Sequence, residues 1–409
     1  MYPNLYFAFL DLFGWDVPAL KLINSFGFFV ALAFVAASAL LKREMQRMGK
    51  AGWFPTSTRK EWVGLPPSPV DLGVQALMGF FLGWKVVYLL ANASTLFQGG
   101  GLAQAHLFSR EGNVTWGVLG AVVLAGWRYW EVKKAALPTP KHQPVEVLPH
   151  EHVGGITAAA AIGGIAGAKL FHLLEYPEEF VAFLKSPSLN AFLGGLTIYG
   201  GLIVGGVAVY LYARRHNLSF LRLADATSPG LLLAYGIGRI GCQVSGDGDW
   251  GIPNLSPKPG WLSWAPDWIW SYAYPNNVNA VYGPRAAGYT GKLIDPAVDP
   301  YPVFEGYGTY LDPGVFPTPL YETTAAVIGF VVLWRFRTVW QVPGQLFAGY
   351  LMFNGMERFW IEKIRVNTTF ELAGIPVTQA ELISVLTFLA GVVLWVALAR
   401  DQRPNPASS

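Results

Sequence analysis

The sequence is poor in charged residues, and this scarcity excludes most soluble folds. Asp, Glu, Lys and Arg make up only 13% of its 409 residues, whereas soluble domains carry roughly 25%. Hydrophobic residues reach 53%, and the mean hydropathy is +0.35. A chain of this composition is predicted to lie in a lipid bilayer, as an all-α integral membrane protein.

Cysteine is almost absent, since Cys242 is the only one. One thiol can form neither an internal disulfide framework nor a zinc site that needs several thiolates. The His-Glu-x-x-His motif, the phosphate-binding glycine loop and the Gly-x-Ser-x-Gly elbow are also missing, which removes the residues of zinc peptidases, nucleotide hydrolases and serine esterases. We therefore expect no metal and no cofactor.

Positive charge is also sparse for a nucleic-acid-binding protein. The net charge is +3, and no run of Lys and Arg is long enough to follow a phosphate backbone. We expect no nucleic-acid partner.

Long apolar runs, by contrast, are frequent. A transmembrane helix needs about 20 apolar residues, and about nine windows satisfy this length. They lie approximately at residues 22–41, 72–92, 114–131, 153–174, 191–213, 226–244, 320–337, 345–361 and 380–399.

The distribution of Lys and Arg predicts the orientation of these windows. With the N-terminus outside, the predicted cytoplasmic segments hold 17 of the 29 Lys and Arg residues and the outer segments hold nine, as the positive-inside rule requires. The C-terminus is then cytoplasmic. The first window is expected to stay in the membrane, because its basic cluster follows the apolar stretch and no basic segment precedes it.

One long segment cannot cross lipid. Residues 245–318 are rich in Pro, Gly and Tyr and contain five Trp between Trp250 and Trp270, which predicts an external head with aromatic side chains at the membrane interface. The chain is therefore divided into a first helix, a region of basic loops and two helices, core helices, the head, C-terminal helices and a cytoplasmic tail. The respective bounds are 1–41, 42–152, 153–244, 245–318, 319–400 and 401–409.

The densest group of polar residues surrounds Arg239, between Gly238 and Gly251. Charge inside a membrane is costly, so an arginine here indicates a functional site. Glycine neighbours let a ligand approach the backbone, and a guanidinium binds phosphate or carboxylate. The alternative is an Arg239 neutralised by Asp247 or Asp249.

A second charged group follows the eighth window. Arg358, Glu362 and Arg365 recur at i, i+4 and i+7, so they are expected on one helical face, with net positive charge left for an anion. The alternative is a purely structural ladder of ion pairs. Glu322 is expected at the start of a helix, where it either contributes to the site or only stabilises the helix dipole.

The fifth window is rich in glycine. The pairs Gly201/Gly205 and, in the fourth window, Gly163/Gly167 predict close helix packing. Tyr199 lies among these glycines, next to open space, and is either a functional phenol or an interfacial anchor.

In order and spacing, these motifs resemble one family, the bacterial prolipoprotein diacylglyceryl transferases. The resemblance runs from the fourth window to the C-terminus, with the Phe26-Gly27 helix in addition. The matching motifs are the glycine-rich Tyr199 helix, Ala213-Arg214-Arg215, Ala224-Asp225, Gly238-Arg239-Ile240-Gly241, Ser245-Gly246, Trp250-Gly251, Pro319-Leu320-Tyr321-Glu322 and Arg358 to Arg365.

The resemblance implies a reaction and its partners. Such enzymes transfer the diacylglyceryl group of phosphatidylglycerol to the lipobox cysteine in the signal peptide of a prolipoprotein, in the bacterial inner membrane, without a metal. They have seven membrane helices, so the two helices within about 72–131 are an insertion. The implied catalytic residues are Arg239, Tyr199 and Arg358. The implied substrate-binding residues are Cys242, Ser245, Gly246, Asp249, Tyr321, Glu322, Glu362, Phe26 and Gly27.

Several positions depart from the family pattern. The family usually has His at Tyr199, Asn at Cys242 and Tyr at Phe26. A tyrosine with an ordinary pKa near 10 is a poorer general base than histidine. Two alternatives therefore stand beside the enzyme: a non-catalytic lipid-binding or assembly protein that keeps the arginines, and a transporter, which the lack of an internal repeat disfavours.

Overall fold

The computed structural model describes residues 1–93, 109, 111–185, 195, 197–279, 281, 283–284, 287–372 and 374–401. This part of the chain is mostly helical. Its helices are α1 (Leu5–Phe13), α2 (Ser25–Lys50), α3 (Pro69–Phe81, continued by a π turn to Ala91), α4 (Val114–Ala135), α5 (Val153–Glu175), α6 (Pro177–Lys185), α7 (Ile198–Arg215), α8 (Phe220–Ser245), α9 (Thr318–Phe336), α10 (Gln345–Glu362) and α11 (Gln379–Asp401).

Each of the nine apolar windows overlaps one of these helices, although residues 191–194 and 196 of the fifth window lie outside the described residues. Within the described ranges, four helices are long and apolar enough to cross a membrane by length and composition: Ser25–Lys50, Pro69–Ala91, Pro149–Glu175 and Gln379–Arg400. A mostly helical chain with four candidate membrane spans agrees with the expected class, an all-α membrane protein.

Glycine lets neighbouring helices approach very closely. In α3 and α4, a Cβ at Gly79 or Gly83 would overlap a backbone carbonyl of the partner helix, and a Cβ at Gly120 would overlap the carbonyl of Gly79. The same holds for α5 and α7, where a Cβ at Gly167 would overlap the carbonyl oxygen of Gly200. Close packing of the glycine-rich fourth and fifth windows is therefore confirmed. Small residues supply the contact area that drives helix association in lipid.

Helices α2, α8, α9 and α10 pack side by side and position the polar groups. Gly241 of α8 lies against Phe26 and Phe29 of α2, and Gly236 of α8 lies against Ala326 of α9. Leu232, Leu333 and Leu346 form one buried cluster that joins α8, α9 and α10. These contacts fix the three helices that carry the charged residues.

The connections between helices contain short antiparallel strands. Strands β1 (Ser57–Val63) and β2 (Lys141–Val147) form one pair. Strands β3 (Gly283–Pro284), β4 (Thr290–Leu293) and β5 (Thr309–Asp312) form a small sheet between α8 and α9. Strands β6 (Thr369–Leu372) and β7 (Ile375–Thr378) form a hairpin before α11.

The segment between α8 and α9 has a core of its own. Helix α8 ends at Ser245, and the capping residue after it, Gly246, has a φ of +65° that favours glycine. Beyond it, Trp250, Tyr274 and Val315 are almost fully buried and pack together. This folded segment lies directly on the ends of α8 and α9 that carry Arg239 and Glu322.

The other end of the helix group depends on Asp225. This buried side chain of α8 accepts hydrogen bonds from the backbone amides of Gly344 (2.7 Å) and Phe347 (2.9 Å), at the start of α10. It satisfies amides that the helix itself cannot satisfy. Asp225 of α8 therefore caps the N-terminus of α10 and joins the two helices.

We expect Asp225→Ala to lower the free energy of unfolding by about 1–3 kcal/mol, because two buried amides lose their acceptor. Thermal unfolding of the purified protein in detergent measures this change. Asp225→Asn is the matched control and should lose less, since its carbonyl oxygen still accepts one bond. Equal stability of the alanine variant and the parent would contradict the capping role.

Candidate active site

A buried carboxylate on α9 collects three arginines. The Glu322 side chain is fully buried, and its Oε1 accepts a hydrogen bond from the Tyr235 hydroxyl at 2.9 Å. Arg239 Nη2 lies 3.0 Å from Oε1, Arg358 Nη1 lies 3.5 Å from Oε1, and Arg365 Nη1 lies 3.6 Å from Oε2. Glu322 is therefore a centre of ion pairing, and the alternative of simple helix capping does not describe it.

Asp249 links two of the same arginines from the segment beyond α8. One carboxylate oxygen pairs with Arg239, and the other lies 2.8 Å from Arg365 Nη2. Burial alone would raise the pKa of Asp249, but Arg239 and Arg365 outweigh it and lower the pKa to about 2. Asp249 therefore stays ionised at pH values low enough to protonate an ordinary aspartate.

The end of α10 differs from the predicted ladder. The i, i+4 pair is present, with Arg358 Nη2 2.9 Å from Glu362 Oε2, and Asn367 donates to Glu362 Oε1 at 2.6 Å. However, α10 ends at Glu362, so Arg365 does not continue its face. A bridge between Gly251 and Arg365 redirects the chain, and Arg365 reaches Asp249 and Glu322 instead.

The charges of this group balance more closely than expected. Three arginines (Arg239, Arg358 and Arg365) face three carboxylates (Asp249, Glu322 and Glu362). Arg358, Glu362 and Arg365 by themselves keep one net positive charge, as expected, but Asp249 and Glu322 from other elements balance that charge together with the charge of Arg239. The predicted alternative for Arg239, pairing with Asp249, is present. We call these six residues the arginine–carboxylate cluster.

The cluster nevertheless keeps unused hydrogen-bond donors. The Nε atoms of Arg239 and Arg365 are buried and have no hydrogen-bond partner among the described residues. Buried polar atoms are rarely left in this state, and guanidinium Nε–H groups are strong donors to an oxyanion. Two guanidinium donors of the cluster are therefore oriented but left without an acceptor within the part of the chain that the structure describes.

Cys242 lies at the edge of the cluster. Its Sγ is 3.8 Å from Arg239 Nη1 and 3.7 Å from Asp249 Oδ2. Ligand atoms of Cys242, Asp247 and Asp249 lie within 4.8 Å of one another. Both oxygens of Asp249 are engaged by arginines, however, and a cation here would meet the Arg239 guanidinium. The geometry does not fit a metal site.

The other predicted residues surround the cluster at different distances. Ser245 is buried and donates to the Cys242 carbonyl at 3.5 Å, and Gly246 packs against Asn277. Tyr321 points away from Glu322, because its hydroxyl donates to the carbonyl of Ile269 at 2.7 Å. These three residues shape the surroundings of the cluster and do not belong to its ion pairs.

Phe26, Gly27 and Tyr199 lie on other helices. Phe26 and Gly27 form the first turn of α2, where the Gly27 amide donates to Asn24 at 2.6 Å and Phe26 lies on Gly241. Tyr199 is half-buried in the first turn of α7. It takes part in none of the cluster's hydrogen bonds and ion pairs among the described residues.

Sequence analysis missed two members of this environment. Tyr235 lies one helical turn before Arg239, and its ring centroid is 5.3 Å from the Arg239 guanidinium carbon; the i, i+4 spacing within α8 was the available signal. Glu357 of α10 is buried, and one of its carboxylate oxygens has no hydrogen-bond partner in the ranges that the structure describes. Its neighbour Arg358 drew attention, but no spacing rule singled out Glu357 itself.

Comparison with known proteins gives a family match. The family model described as prolipoprotein diacylglyceryl transferase matches residues 116–397, more than half of the chain. The chain is 32% identical over 252 residues to the phosphatidylglycerol–prolipoprotein diacylglyceryl transferase of Leifsonia xyli, covering 58% of this chain and 62% of that one.

Two further relatives carry the same name. The Bifidobacterium adolescentis protein is 28% identical over 249 residues, covering 59% of this chain and 65% of its own length. The Cutibacterium acnes protein is 27% identical over 248 residues, covering 60% of this chain and 70% of its own. The chain thus spans less than two thirds of the length of the first two relatives.

We expect Glu322→Gln to destabilise the protein by about 3 kcal/mol, because three partly buried arginines then face only two carboxylates, Asp249 and Glu362. Chemical unfolding in detergent measures the change. Inorganic phosphate should restore more stability to this variant than to the parent, since an anion replaces the lost charge.

Asp312→Asn is the control for this experiment, because its ion pair with Lys292 is exposed and such pairs contribute about 0–1 kcal/mol. Equal stability of Glu322→Gln and Asp312→Asn would show that Glu322 does not hold the cluster together.

Proposed function

The chain belongs to the prolipoprotein diacylglyceryl transferase family, and from this membership we propose that it transfers the diacylglyceryl group of phosphatidylglycerol to a prolipoprotein thiol. The acceptor is the lipobox cysteine of the signal peptide. One observation carries the proposal: three arginines of α8, α10 and the following turn converge at one end of the helices with buried donors left over.

The proposed membrane arrangement follows the nine windows. In this arrangement nine helices (α2 to α5 and α7 to α11) cross the inner membrane of a bacterium, with the N-terminus outside and the C-terminus inside. Helices α3 and α4 are the insertion into a seven-helix core. The segment between α8 and α9 is the external head, so the arginine–carboxylate cluster lies beneath it, at the depth of the outer lipid headgroups.

The cluster suits the phosphate of such a headgroup. Arg239 is the proposed phosphate ligand, because its Nε is unused and its two terminal nitrogens are held by Asp249 and Glu322. The carboxylates fix the guanidinium planes in advance, so binding need not order them. Arg358 and Arg365 are held in the same way by Glu322, Glu362 and Asp249.

The reaction requires charge stabilisation on the leaving group. The thiol sulfur forms a bond to the terminal glycerol carbon of the diacylglyceryl group as the bond from that carbon to the phosphate oxygen breaks. The bonding electrons leave with glycerol phosphate, and the proton that the thiol loses ends on the departing phosphate, so the products are the thioether and glycerol phosphate. Preformed arginines oppose the negative charge that grows on the departing phosphate. Arg239 and Arg358 are assigned this role.

Tyr199 is proposed to face the acceptor thiol from α7. Its position in the glycine-rich first turn corresponds to the family histidine, and the glycines next to it leave room for substrate. The phenol acts as a hydrogen-bond donor or a weak base, which is a weaker arrangement than histidine. The alternative, a non-catalytic lipid-binding protein of the same family, would keep the arginines and have no use for Tyr199.

We expect Arg239→Gln to reduce prolipoprotein lipidation by about 10²–10³-fold, the effect of removing one preformed donor from a developing charge. The assay expresses the chain in a bacterium depleted of its own transferase and follows a tagged prolipoprotein by gel shift and mass. Arg128→Gln is the control, because Arg128 pairs with Asp71 and Glu131 away from the cluster. It should retain full activity.

The same assay separates enzyme from binding protein. Tyr199→Phe should also lose lipidation while it still retains bound lipid. No lipidation by well-expressed, membrane-inserted parent, together with lipid that co-purifies with it, would favour the binding protein. Full activity of Arg239→Gln would contradict the assignment of the phosphate site.

Reporter fusions test the proposed orientation. Alkaline phosphatase inserted after Val298 in the head is expected to be active, and green fluorescent protein fused after Arg400 is expected to fluoresce, because each reporter works only on its own side of the membrane. The opposite pattern for either fusion would contradict the arrangement of nine spans.

A further inference from the structure

The head carries a closed loop with an apolar outer side. This loop, residues 254–270, is fixed by hydrogen bonds across its base: Asn254 Nδ2 donates to the Trp270 carbonyl at 2.6 Å, and Trp270 Nε1 donates to the Ser256 carbonyl at 2.8 Å. Lys258 Nζ donates to the Ala265 carbonyl at 2.7 Å and to Asp267 at 2.6 Å. The loop is therefore an ordered element, which we call the tryptophan loop.

Side chains alternate between the two sides of this loop. Leu262 and Ala265 point inward and are 8% and 3% exposed, whereas Trp261 and Trp264 point outward and are 74% and 79% exposed. Leu255 is 80% exposed as well. One short loop thus exposes three large apolar side chains, which is unusual for a surface that faces only water. Burial within the folded loop explains the apolar residues Leu262 and Ala265, but it does not explain the exposed Trp261 and Trp264.

The base of the loop is attached to the membrane helices. The Tyr321 hydroxyl, in the first turn of α9, donates to the carbonyl of Ile269 at 2.7 Å. Trp270 packs edge-on against Phe316, just before α9, with ring centroids 5.5 Å apart. The loop is therefore held beside the end of α9 that also carries Glu322, at the proposed level of the lipid headgroups.

From this placement we infer that the tryptophan loop inserts Trp261, Trp264 and Leu255 into the interface of the outer leaflet. The occupant of this surface is lipid. Tryptophan favours the headgroup region, where its ring is partly apolar and its N–H can still bond. The loop's Lys258 and Asp267 neutralise each other, so docking does not require anionic lipid.

The inference rests on the proposed membrane arrangement and not on the proposed transfer reaction. It adds a function to the head: the loop anchors the head to the bilayer beside the arginine–carboxylate cluster.

Cysteine labelling tests the inference, because the natural Cys242 is only 5% exposed. A bimane fluorophore is attached to Trp264→Cys and, separately, to Leu255→Cys in the full chain, in nanodiscs of phosphatidylcholine. Replacing this lipid with its dibrominated form should quench both labels by at least about twofold. Val298→Cys is the control, because Val298 is also 80% exposed but lies between Asp295 and Asp299.

The expected result is quenching at residues 264 and 255, no quenching at 298, and no change when a third of the lipid is phosphatidylglycerol. Quenching of residues 264 and 255 by aqueous iodide, and not by brominated lipid, would overturn the inference. The readout needs no turnover, so an inactive protein whose loop is quenched would contradict only the proposed reaction.

Discussion

The burial of Glu322 is the constraint on which this structure depends. An isolated carboxylate without solvent exposure is strongly disfavoured in a low-dielectric interior unless cations surround it. Glu322 meets this requirement with arginines of α8, α10 and the turn after α10, together with the Tyr235 hydroxyl. The three elements must converge for α9 to carry this residue at all. The need to neutralise Glu322 therefore sets where the three arginines lie. The glycine contacts between helices leave enough room for these arginines to converge on it.

The same pairing fixes the orientation of the arginines. The carboxylates occupy terminal nitrogens of the guanidinium groups, and Nε of Arg239 and of Arg365 has no hydrogen-bond partner among the residues that the structure describes. These donors are held in place before any ligand arrives, as the proposed phosphate site requires. In the proposed reaction, a charge-balanced group of this kind would have to release a charged product as readily as it binds a charged substrate.

Sequence patterns predicted the parts of this structure that are local. The apolar windows located the helices, because burial in lipid acts on each stretch of about 20 residues separately, and a charge inside an apolar stretch marked Arg239. The partner of each charged residue was harder to predict. Arg365 was placed on the face of α10, but the bridge from Gly251 ends that helix first, and this contact joins residues distant in the chain. The role of Glu322 could not be predicted for the same reason, because its arginine partners are distant from it in the sequence. Tyr235 was missed because a tyrosine in a membrane helix attracts no attention until its hydrogen-bond acceptor is known.

The glycine contacts between α3 and α4 have a consequence for how such a protein can grow. The backbone of each helix lies in the space that the glycines of the other helix leave free. The two helices therefore supply both sides of their interface. A unit that is complete in this way needs no matching surface from the helices that carry the arginines. If α3 and α4 are the proposed insertion, they can join the bundle without reshaping that core.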